Sequence, residues 1–354
     1  GVCREKAMHV LQERAGVNLM GSANSELEGL RNFFGDLVKY GITSVHDAWA
    51  TPEKWTAYQQ LVAEGLPVRI RAYFHEEFLN DLDALGIRPN EGNDRLQVGG
   101  IKVFHGNSLS GRTCWLYEPY AVPNKETGEF DYYGIPPDKS QEEIDALVAR
   151  IHKAGFQAAI HSNGDREIDM LLDAYEKALA AEPREDHRHR IEHASVSNEN
   201  ILRRVKDLGV VLALHSYIYE HGDKMEAYGE TRWPRMHANR TALDMGIVVA
   251  GNSDYPISNY NPMIRIQSLV TRTHRGGKTY GPEQRLTVEE ALWTYTMGSA
   301  IAGFNETTRG SITPGKLADF TILNQDPTSV DPFALKDIEV DATYIDGERV
   351  YTRD

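Results

Sequence analysis

The sequence predicts an α/β protein built on a parallel barrel of strands, and two observations support this prediction. Strand-like runs alternate with helix-like runs along most of the chain, which is typical of parallel sheets with crossover helices. Three of the strand-like runs end at or near His161, His193 and Asp254, which are metal-binding types of residue. Because barrel enzymes carry their chemistry at the carboxyl ends of different strands, we expect these three side chains on one rim.

The separations between these three residues correspond to whole βα units. His193 follows His161 by about one unit, and Asp254 follows His193 by about two. The run 210–216 lies between the last two and supplies the strand that this spacing requires. No glycine-rich phosphate-binding loop follows any of the strand-like runs, so a dinucleotide-binding sheet is the weaker prediction.

Seven segments have the composition of barrel strands, one fewer than a complete eight-stranded barrel contains. They are rich in β-branched and other apolar residues and are bounded by turn residues. Two further short strands are expected at 319–324 and 342–351, where Asp346-Gly347 is a typical hairpin turn. The seven barrel segments are 42–48, 68–74, 98–104, 156–162, 188–194, 210–216 and 246–256.

Helices are predicted between the strands from capping residues and apolar periodicity. Ser140 and Glu143 have the pattern of a capping box, and Gly41 is a common helix stop. The polar and aromatic loops at 106–139 and 217–238 are longer than a barrel connection requires, which often indicates function. The predicted helices are 4–16, 25–40, a segment ending near 64, 77–85, a segment starting at 140, 165–181, 198–208, 239–245 and 287–302.

Composition restricts the class of partner. The chain has 354 residues, 41% of them hydrophobic, and a net charge of −14, which argues against binding to nucleic acid or to an anionic membrane surface. The two cysteines, Cys3 and Cys114, are too few for a disulfide framework or a thiolate metal site. No apolar run approaches the ~18 residues of a membrane span. We therefore expect a cytoplasmic protein with a small-molecule substrate.

Seven motifs, in their order along the chain, give a family resemblance. The chain resembles the metal-dependent amidohydrolases, in particular the branch that includes N-substituted formamide deformylase. The resemblance implies a distorted (β/α)8 TIM-like barrel at 1–303 and, at 304–354, part of a small β-sandwich. The motifs are GITSVHDA (41–48), IKVFHGNSLSGRT (101–113), HSNGDREID (161–169), IEHA (191–194), NSDYP (252–256), LTVEEALWTYT (286–296) and GSITPGKLADFTIL (310–323).

One family motif is missing from its expected place. The first barrel strand of the family carries a metal-binding His-x-His pair, and the His187-Arg188-His189 of this chain has that spacing at a different place. We therefore expect the first strand and the N-terminal half of the sandwich to be absent from this chain. A missing strand opens two sheet edges, which a partner chain, as in a homodimer, or a rearranged N-terminus would cover.

His161 and His193 are the predicted imidazole ligands of one or two divalent metal ions, with zinc as the first choice. A single such histidine is more often a hydrogen-bonded core residue, but the shared strand-end position favours the metal interpretation. Asp254 is the predicted ligand and general base, and a turn residue before Pro256 is its structural alternative. The resemblance implies that Lys102 is a carbamylated ligand, whereas pairing with a carboxylate is the alternative for an unmodified lysine.

Other polar residues are candidates for substrate contacts or for supporting roles. Arg112 and Tyr120, in the loop after the third strand, and His215, at the end of its own strand, are predicted to contact the substrate. Asp165 is expected to cap the following helix, with orientation of His161 as its functional alternative. A lining or structural role is more common for the other histidines near strand ends, which are His46, His75 and His105.

Together these residues predict a metal-dependent hydrolase that cleaves the C–N bond of an amide, a formamide or a related compound. The alternative is a catalytically inactive, truncated barrel that binds a ligand or a partner, and the missing His-x-His pair motivates it. A sugar-phosphate isomerase barrel is a third and weaker prediction, because no phosphate-binding loop lies near the last strands.

Overall fold

The structure is a computed structural model that describes residues 23–215 and 217–354. The helix predicted at 4–16 lies outside these residues. The described part contains a seven-stranded sheet with helices and, near the C-terminus, a three-stranded sheet.

The seven strands of the main sheet are all parallel and follow one another in chain order. The predicted strands are therefore confirmed, and their ends shift by only a few residues. Among the described residues, no strand closes the gap between the first and the last. The strands are β1 Ser44–Ala50, β2 Arg69–His75, β3 Leu96–Phe104, β4 Gln157–Ser162, β5 Arg190–His193, β6 Val211–His215 and β7 Val249–Asn252.

The sheet curls so that strands that are not neighbours face each other across its interior. The guanidinium of Arg190 in β5 donates hydrogen bonds to His46 Nδ1 in β1 and to the Tyr73 hydroxyl in β2, each 2.9 Å long. Such contacts require the concave inner face of a barrel, because strands four positions apart in a flat sheet would lie about 19 Å apart.

Helices cover the outer face of the sheet, and most match the predicted segments. The predicted capping box at Ser140 and Glu143 is present, and Gly41 ends the first helical segment in a left-handed conformation. The helices are α1 Ala23–Leu37, α2 Pro52–Ala63, α3 Gln141–Lys153, α4 Asp165–Ala181, α5 Glu199–Asp207, α6 Ile218–His221, α7 Asn239–Asp244, α8 Pro262–Thr271, α9 Val288–Trp293 and α10 Ser299–Ala302.

Two helix predictions need correction, and α8 was not predicted. The segment 77–85 forms a 3-10 turn at Glu76–Phe78 followed by other turns. The segment 287–302 is divided into α9 and α10 by a π-helical turn at Thr294–Gly298. The sequence analysis missed α8, although the Asn261 side chain caps it and Pro262 occupies its first turn, which are common start signals.

The main core lies between the sheet and the helices of its outer face. Ile160 of β4, Val148 of α3 and Leu172 of α4 are fully buried in it. The segment from α9 to α10 packs instead against β7 at one end of the sheet. There the Tyr295 hydroxyl donates to the Asn252 carbonyl at 3.1 Å, so part of that end is covered by the chain itself.

The three-stranded sheet is antiparallel and consists of β8 Phe320–Leu323, β9 Val340–Ile345 and β10 Glu348–Thr352. The predicted hairpin turn is confirmed, because Asp346 and Gly347 both have positive φ angles. This sheet is attached to the barrel by a buried ion pair between Arg69 of β2 and Asp319. The Thr343 hydroxyl of β9 also donates to the Val38 carbonyl at 2.7 Å.

Candidate metal centre

The carboxyl ends of β4 to β7 lie side by side and form the rim on which the candidate centre stands. In the register of β4 and β5, Ser162 lies opposite His193, and in that of β6 and β7, His215 lies opposite Asn252. His193 and His215 are therefore the last residues of neighbouring strands β5 and β6. Parallel pairing thus brings the predicted strand-end residues to one place.

Three side chains converge most closely on this rim. The ligand atoms of His193, His215 and Asp254 all lie within 4.8 Å of one another. His215 Nε2 is 3.4 Å from Asp254 Oδ2, and the rings of His193 and His215 stack with centroids 4.2 Å apart. The ring of His161 lies edge-on to that of His193 at 4.6 Å. The structure thus brings the predicted pair His161 and His193 together with Asp254 and adds His215.

The donor set fits a divalent metal. Two imidazoles and a carboxylate suit zinc and similar ions, whose bonds of about 2.0–2.2 Å require donor atoms a few ångströms apart. The buried Nδ1 atoms of His193 and His215 have no hydrogen-bond partner among the residues that the structure describes. Buried polar atoms normally have a hydrogen-bond partner. Buried nitrogens without one are therefore expected at a site whose partner is a bound ligand.

The backbone at the centre is held in uncommon conformations. His193, Ala194 and Asp254 have φ angles of 81°, 41° and 52°, in the left-handed region that residues other than glycine seldom occupy. The Ala194 N–H donates to the Ser162 carbonyl at 3.0 Å, and the Ile257 N–H donates to the Asp254 carbonyl at 2.7 Å. Residues held in this way are concentrated at functional sites, where the surroundings enforce them.

Asp254 is ionised at neutral pH. Burial raises the pKa of its carboxyl, but the hydrogen bond and charge of His215 and the charge of Lys102 outweigh that effect, so the pKa is below its usual value. Burial, together with the charge of Lys102, lowers the pKa of His161 to about 4. The carboxylate and the neutral imidazole are the protonation states that metal ligands require.

Lys102 of β3 is 4% exposed, and its charge acts on both His161 and Asp254 of this centre. Burial lowers the pKa of its amine, whereas the charges of Glu192 and Asp254 act in the opposite direction. The Nζ atom lies 4.8 Å from the centroid of the Phe104 ring. The environment thus favours the neutral amine more than a solvent-exposed site would.

A buried ion pair lies next to the centre. Glu192, adjacent to His193, accepts two hydrogen bonds from Arg190, at 2.7 and 2.9 Å. Burial raises the pKa of Glu192, but the charges of Arg190 and Lys102 outweigh burial and lower the pKa overall. Arg190 also donates to His46 of β1 and to Tyr73 of β2, and these two bonds connect the strand that carries His193 to β1 and β2.

The predicted substrate contacts lie in different surroundings. His215 belongs to the centre itself. Arg112 is partly buried in the loop after β3, with a φ angle of 57°, and its substrate role stays a prediction. Tyr120 is 1% exposed, and its hydroxyl donates to the Cys114 carbonyl at 3.0 Å and lies 3.2 Å from the Tyr228 hydroxyl. The structure therefore leaves Tyr120 no free hydroxyl for a substrate.

Asp165 does not cap the helix that follows it. Gly164 is the residue before α4, and Asp165 is its first residue. Its carboxylate accepts a hydrogen bond from the Tyr117 N–H at 3.1 Å and so binds the long loop. His46, His75 and His105 are not part of the close cluster. His46 accepts from Arg190, and His75 stacks on Trp49 at 5.3 Å.

Two residues near the centre were missed by sequence reasoning. His237 is 1% exposed, its ring centroid is 5.2 Å from that of Tyr217, and its backbone N–H donates to the Ser195 carbonyl at 2.9 Å. His237 does not follow a strand, so the strand-end position that identified the other candidate residues could not identify it. Glu167 is a fully buried carboxylate in the first turn of α4. The sequence shows that Glu167 lies in the same motif as His161, but it does not show that the Glu167 side chain is buried.

Comparison with known proteins identifies the family of this barrel. The amidohydrolase family model matches residues 1–351. The chain is 31% identical to the YtcJ amidohydrolase of Bacillus subtilis over 324 residues, which are 90% of this chain and 57% of that protein. It is 28% identical to N-substituted formamide deformylase of Arthrobacter pascens over 331 residues, which are 92% of this chain and 60% of that protein.

Solved structures agree with this assignment. An uncharacterised metal-dependent hydrolase of Pyrococcus horikoshii superposes with a TM-score of 0.80 and 26% identity, covering 93% of this chain and 65% of the other. The fold is therefore similar to the barrel of that metal-dependent hydrolase. The chain belongs to the amidohydrolase family and spans 57–60% of the length of these two curated relatives.

The described residues contain no helix with the length and apolar character needed to cross a bilayer.

Proposed function

We propose that this chain binds a divalent metal, with zinc as the first choice, at the rim formed by His161, His193, His215 and Asp254. We propose further that it hydrolyses the C–N bond of a small amide, formamide or related compound. The observation that supports this most directly is the convergence of the His193, His215 and Asp254 ligand atoms within 4.8 Å. The formamide class comes from the name of the relative in Arthrobacter pascens.

Different residues of the chain have different roles in such a reaction. A bound divalent metal would supply Lewis-acid polarisation of the carbonyl group and a more acidic water. The ionised Asp254 takes a proton from the attacking water and returns it to the leaving nitrogen. His215, 3.4 Å from that carboxylate, holds Asp254 in place and orients it toward the rim.

Lys102 extends the proposal to a second ligand position. An amine in its neutral form adds carbon dioxide to give a carbamate and releases a proton, and the carbamate oxygens bind metals as a carboxylate does. The burial that lowers the pKa of Lys102 favours that neutral form. An unmodified, charged Lys102 would instead repel a cation at the same place.

The test is the metal content of the purified protein, measured by elemental mass spectrometry, followed by hydrolysis assays on a panel of amides and formamides. We expect about one metal or more per chain, with loss of the metal in a His193→Ala, Asp254→Asn double variant. Asp47→Asn is the matched control, because Asp47 lies near the end of β1 and accepts from the Tyr58 hydroxyl at 2.7 Å, outside the cluster. The Asp47→Asn control should keep its metal.

The outcomes separate the proposed enzyme from its alternative. A protein without metal in both the parent and the control would overturn the proposed site. Metal binding without hydrolysis of any compound in the panel would favour a truncated barrel that binds ligands. If the single variant Asp254→Asn binds metal but loses turnover, its role as proton carrier is supported, and full turnover in that variant would contradict it.

A further inference from the structure

The side chain of His237 is buried near the rim without a hydrogen-bond partner. The residue is 1% exposed, and neither Nδ1 nor Nε2 has a partner among the residues that the structure describes. Burial and the charge of Arg272 hold the pKa of the ring well below its usual value, so the imidazole is neutral. Whichever nitrogen carries the proton, the ring has one donor and one acceptor that the described chain does not pair. Because buried polar atoms normally have partners, a bound molecule is the expected partner here.

The backbone of His237, in contrast, is held on both sides by hydrogen bonds. Its N–H donates to the Ser195 carbonyl at 2.9 Å. Its carbonyl accepts from the Asn239 N–H at 2.7 Å and from Asn239 Nδ2 and Arg272 Nη1, each at 3.0 Å. These bonds hold a φ angle of 48°, in the left-handed region. Such conformations are concentrated at functional sites, where the surroundings enforce them.

The ring of His237 lies beside the candidate centre. The bond to Ser195 places the residue next to the segment that directly follows His193. The ring centroid is 6.3 Å from that of His215 and 5.2 Å from that of Tyr217, and the ring is edge-on to both. His237 is nevertheless outside the group whose ligand atoms lie within 4.8 Å of one another. This position suits a contact with a molecule bound at the centre.

His105 is the other described histidine with two unpartnered ring nitrogens. The ring contacts of the candidate centre include His237 but not His105. The charge that lowers the pKa of His105, after burial, is that of Lys139, in the long loop after β3. The combination of unpartnered nitrogens and a ring contact with the centre therefore distinguishes His237.

A buried positive charge lies against the backbone of His237. Arg272 is 1% exposed and donates to three backbone carbonyls, those of Tyr280, His237 and Met236, at 2.9, 3.0 and 3.0 Å. It forms no ion pair with a carboxylate in the described part of the chain, and Glu283 offsets its charge only from beyond ion-pair distance. A buried charge of this kind attracts electron-rich atoms and repels cations. The surroundings of His237 therefore favour a ligand oxygen over a second metal ion.

We propose that His237 is a substrate contact whose ring N–H donates a hydrogen bond to an oxygen atom on the acyl side of the bound amide. The inference rests on the proposed function, which supplies the amide. Hydrolysis of an amide releases a carboxylate that keeps the acyl oxygen. The carboxylate product is therefore an expected ligand of the same N–H group, and it can be tested without turnover.

The first experiment measures carboxylate binding by NMR, on the purified protein and on a sample stripped of metal with a chelator. Acetate replaces chloride at constant ionic strength in protein labelled with 15N-histidine, and the His237→Phe variant assigns the His237 ring signals. We expect a saturable change in these signals. His187 is the internal control, because its Nδ1 accepts from the His189 N–H at 2.9 Å and its Nε2 lies 2.8 Å from the Leu208 carbonyl. Its signals should stay constant.

Two variants separate a substrate contact from a structural role. His237→Phe keeps a ring against Tyr217 but has no donor or acceptor, whereas His237→Gln keeps both. Because burial of unpaired polar atoms is unfavourable, His237→Phe should leave the urea midpoint unchanged or raise it. A histidine that is bonded within the chain would instead give a lower midpoint in His237→Phe and a recovered midpoint in His237→Gln.

The second experiment uses an amide of the panel that the parent protein hydrolyses. His237→Phe should raise KM and the inhibition constant of acetate by about 2–10-fold, the range expected for one hydrogen bond. His237→Gln should have a smaller effect, and both variants should keep the metal content of the parent. His237 signals that do not respond to acetate, or equal KM and inhibition constants in the parent and His237→Phe, would overturn the inference. If no amide is hydrolysed, the proposed function fails, and the acetate titration still decides whether His237 binds a carboxylate oxygen.

Discussion

The buried pair of Arg190 and Glu192 allows a quantitative prediction about the stability of the site. We expect Glu192→Gln to lower the free energy of unfolding by about 3 kcal/mol. The two side chains are only 4% and 6% exposed, so solvent cannot replace the lost charge. The guanidinium then stays buried without its counter-ion, next to the strand end that carries His193.

The magnitude follows from the contacts that remain. Removal of one partner from a buried ion pair typically costs about 3–5 kcal/mol. Glutamine keeps one oxygen that accepts from Arg190, and the bonds from Arg190 to His46 Nδ1 and to the Tyr73 hydroxyl, both 2.9 Å, are unchanged. These contacts favour the lower end of that range.

Urea-induced unfolding at neutral pH, followed by fluorescence, is the appropriate assay, provided that the slope of the transition is unchanged. Asp341→Asn is the control, because Asp341 pairs with Arg353 at the surface and its loss should cost less than about 1 kcal/mol. The double variant Arg190→Met, Glu192→Leu should be more stable than the sum of the single changes predicts. A cost below about 1 kcal/mol for Glu192→Gln, or additivity in the double variant, would refute the reasoning.

Two further predictions concern pH and the small sheet. Burial lowers the pKa of His189 well below its usual value, and its Nδ1 accepts from the Ala158 N–H at 3.0 Å. The neutral His189 therefore stabilises the fold above its unfolded pKa of about 6.5, and this stabilisation is lost as the pH falls toward the lower folded pKa. We expect the urea midpoint to fall less steeply with acidification in the His189→Gln variant than in the parent protein. Asp319→Asn should cost about 2–4 kcal/mol, because Arg69 loses a bidentate carboxylate at 2.6 and 2.9 Å and keeps only Asp346 as a charged partner. A urea midpoint equal to that of the parent would show that the small sheet does not depend on this pair.

The strand-end residues were predictable because parallel strands align their carboxyl ends. His161, His193 and Asp254 each end or follow a segment with strand composition, so the periodicity of the chain was sufficient to bring them together. The role of His215 was predictable only in part. Its place at a strand end was evident, but its 3.4 Å contact with Asp254 depends on how β6 and β7 are paired.

The residues that the sequence analysis misjudged differ from these in one respect. Tyr120 and Asp165 lie in or against the long loop after β3, where no periodic pattern relates sequence position to direction. The loop path is determined by contacts such as those of Glu167 with Trp115 and Asn163. The first contact joins residues about fifty positions apart, and the second joins the first turn of a helix to the residues before it. Local secondary-structure propensity therefore does not predict either contact.

The amino-acid sequence by itself determined the α/β class, the strand order, the hairpin at Asp346-Gly347 and the rim on which the candidate centre stands. These features follow from local periodicity and turn chemistry, which act over a few residues. Only the tertiary structure decided that His215 joins the centre, that Tyr120 is packed away and that Glu167 lies behind His161. Burial and hydrogen-bond partners decide such roles, and both depend on which distant segments the folded chain brings together.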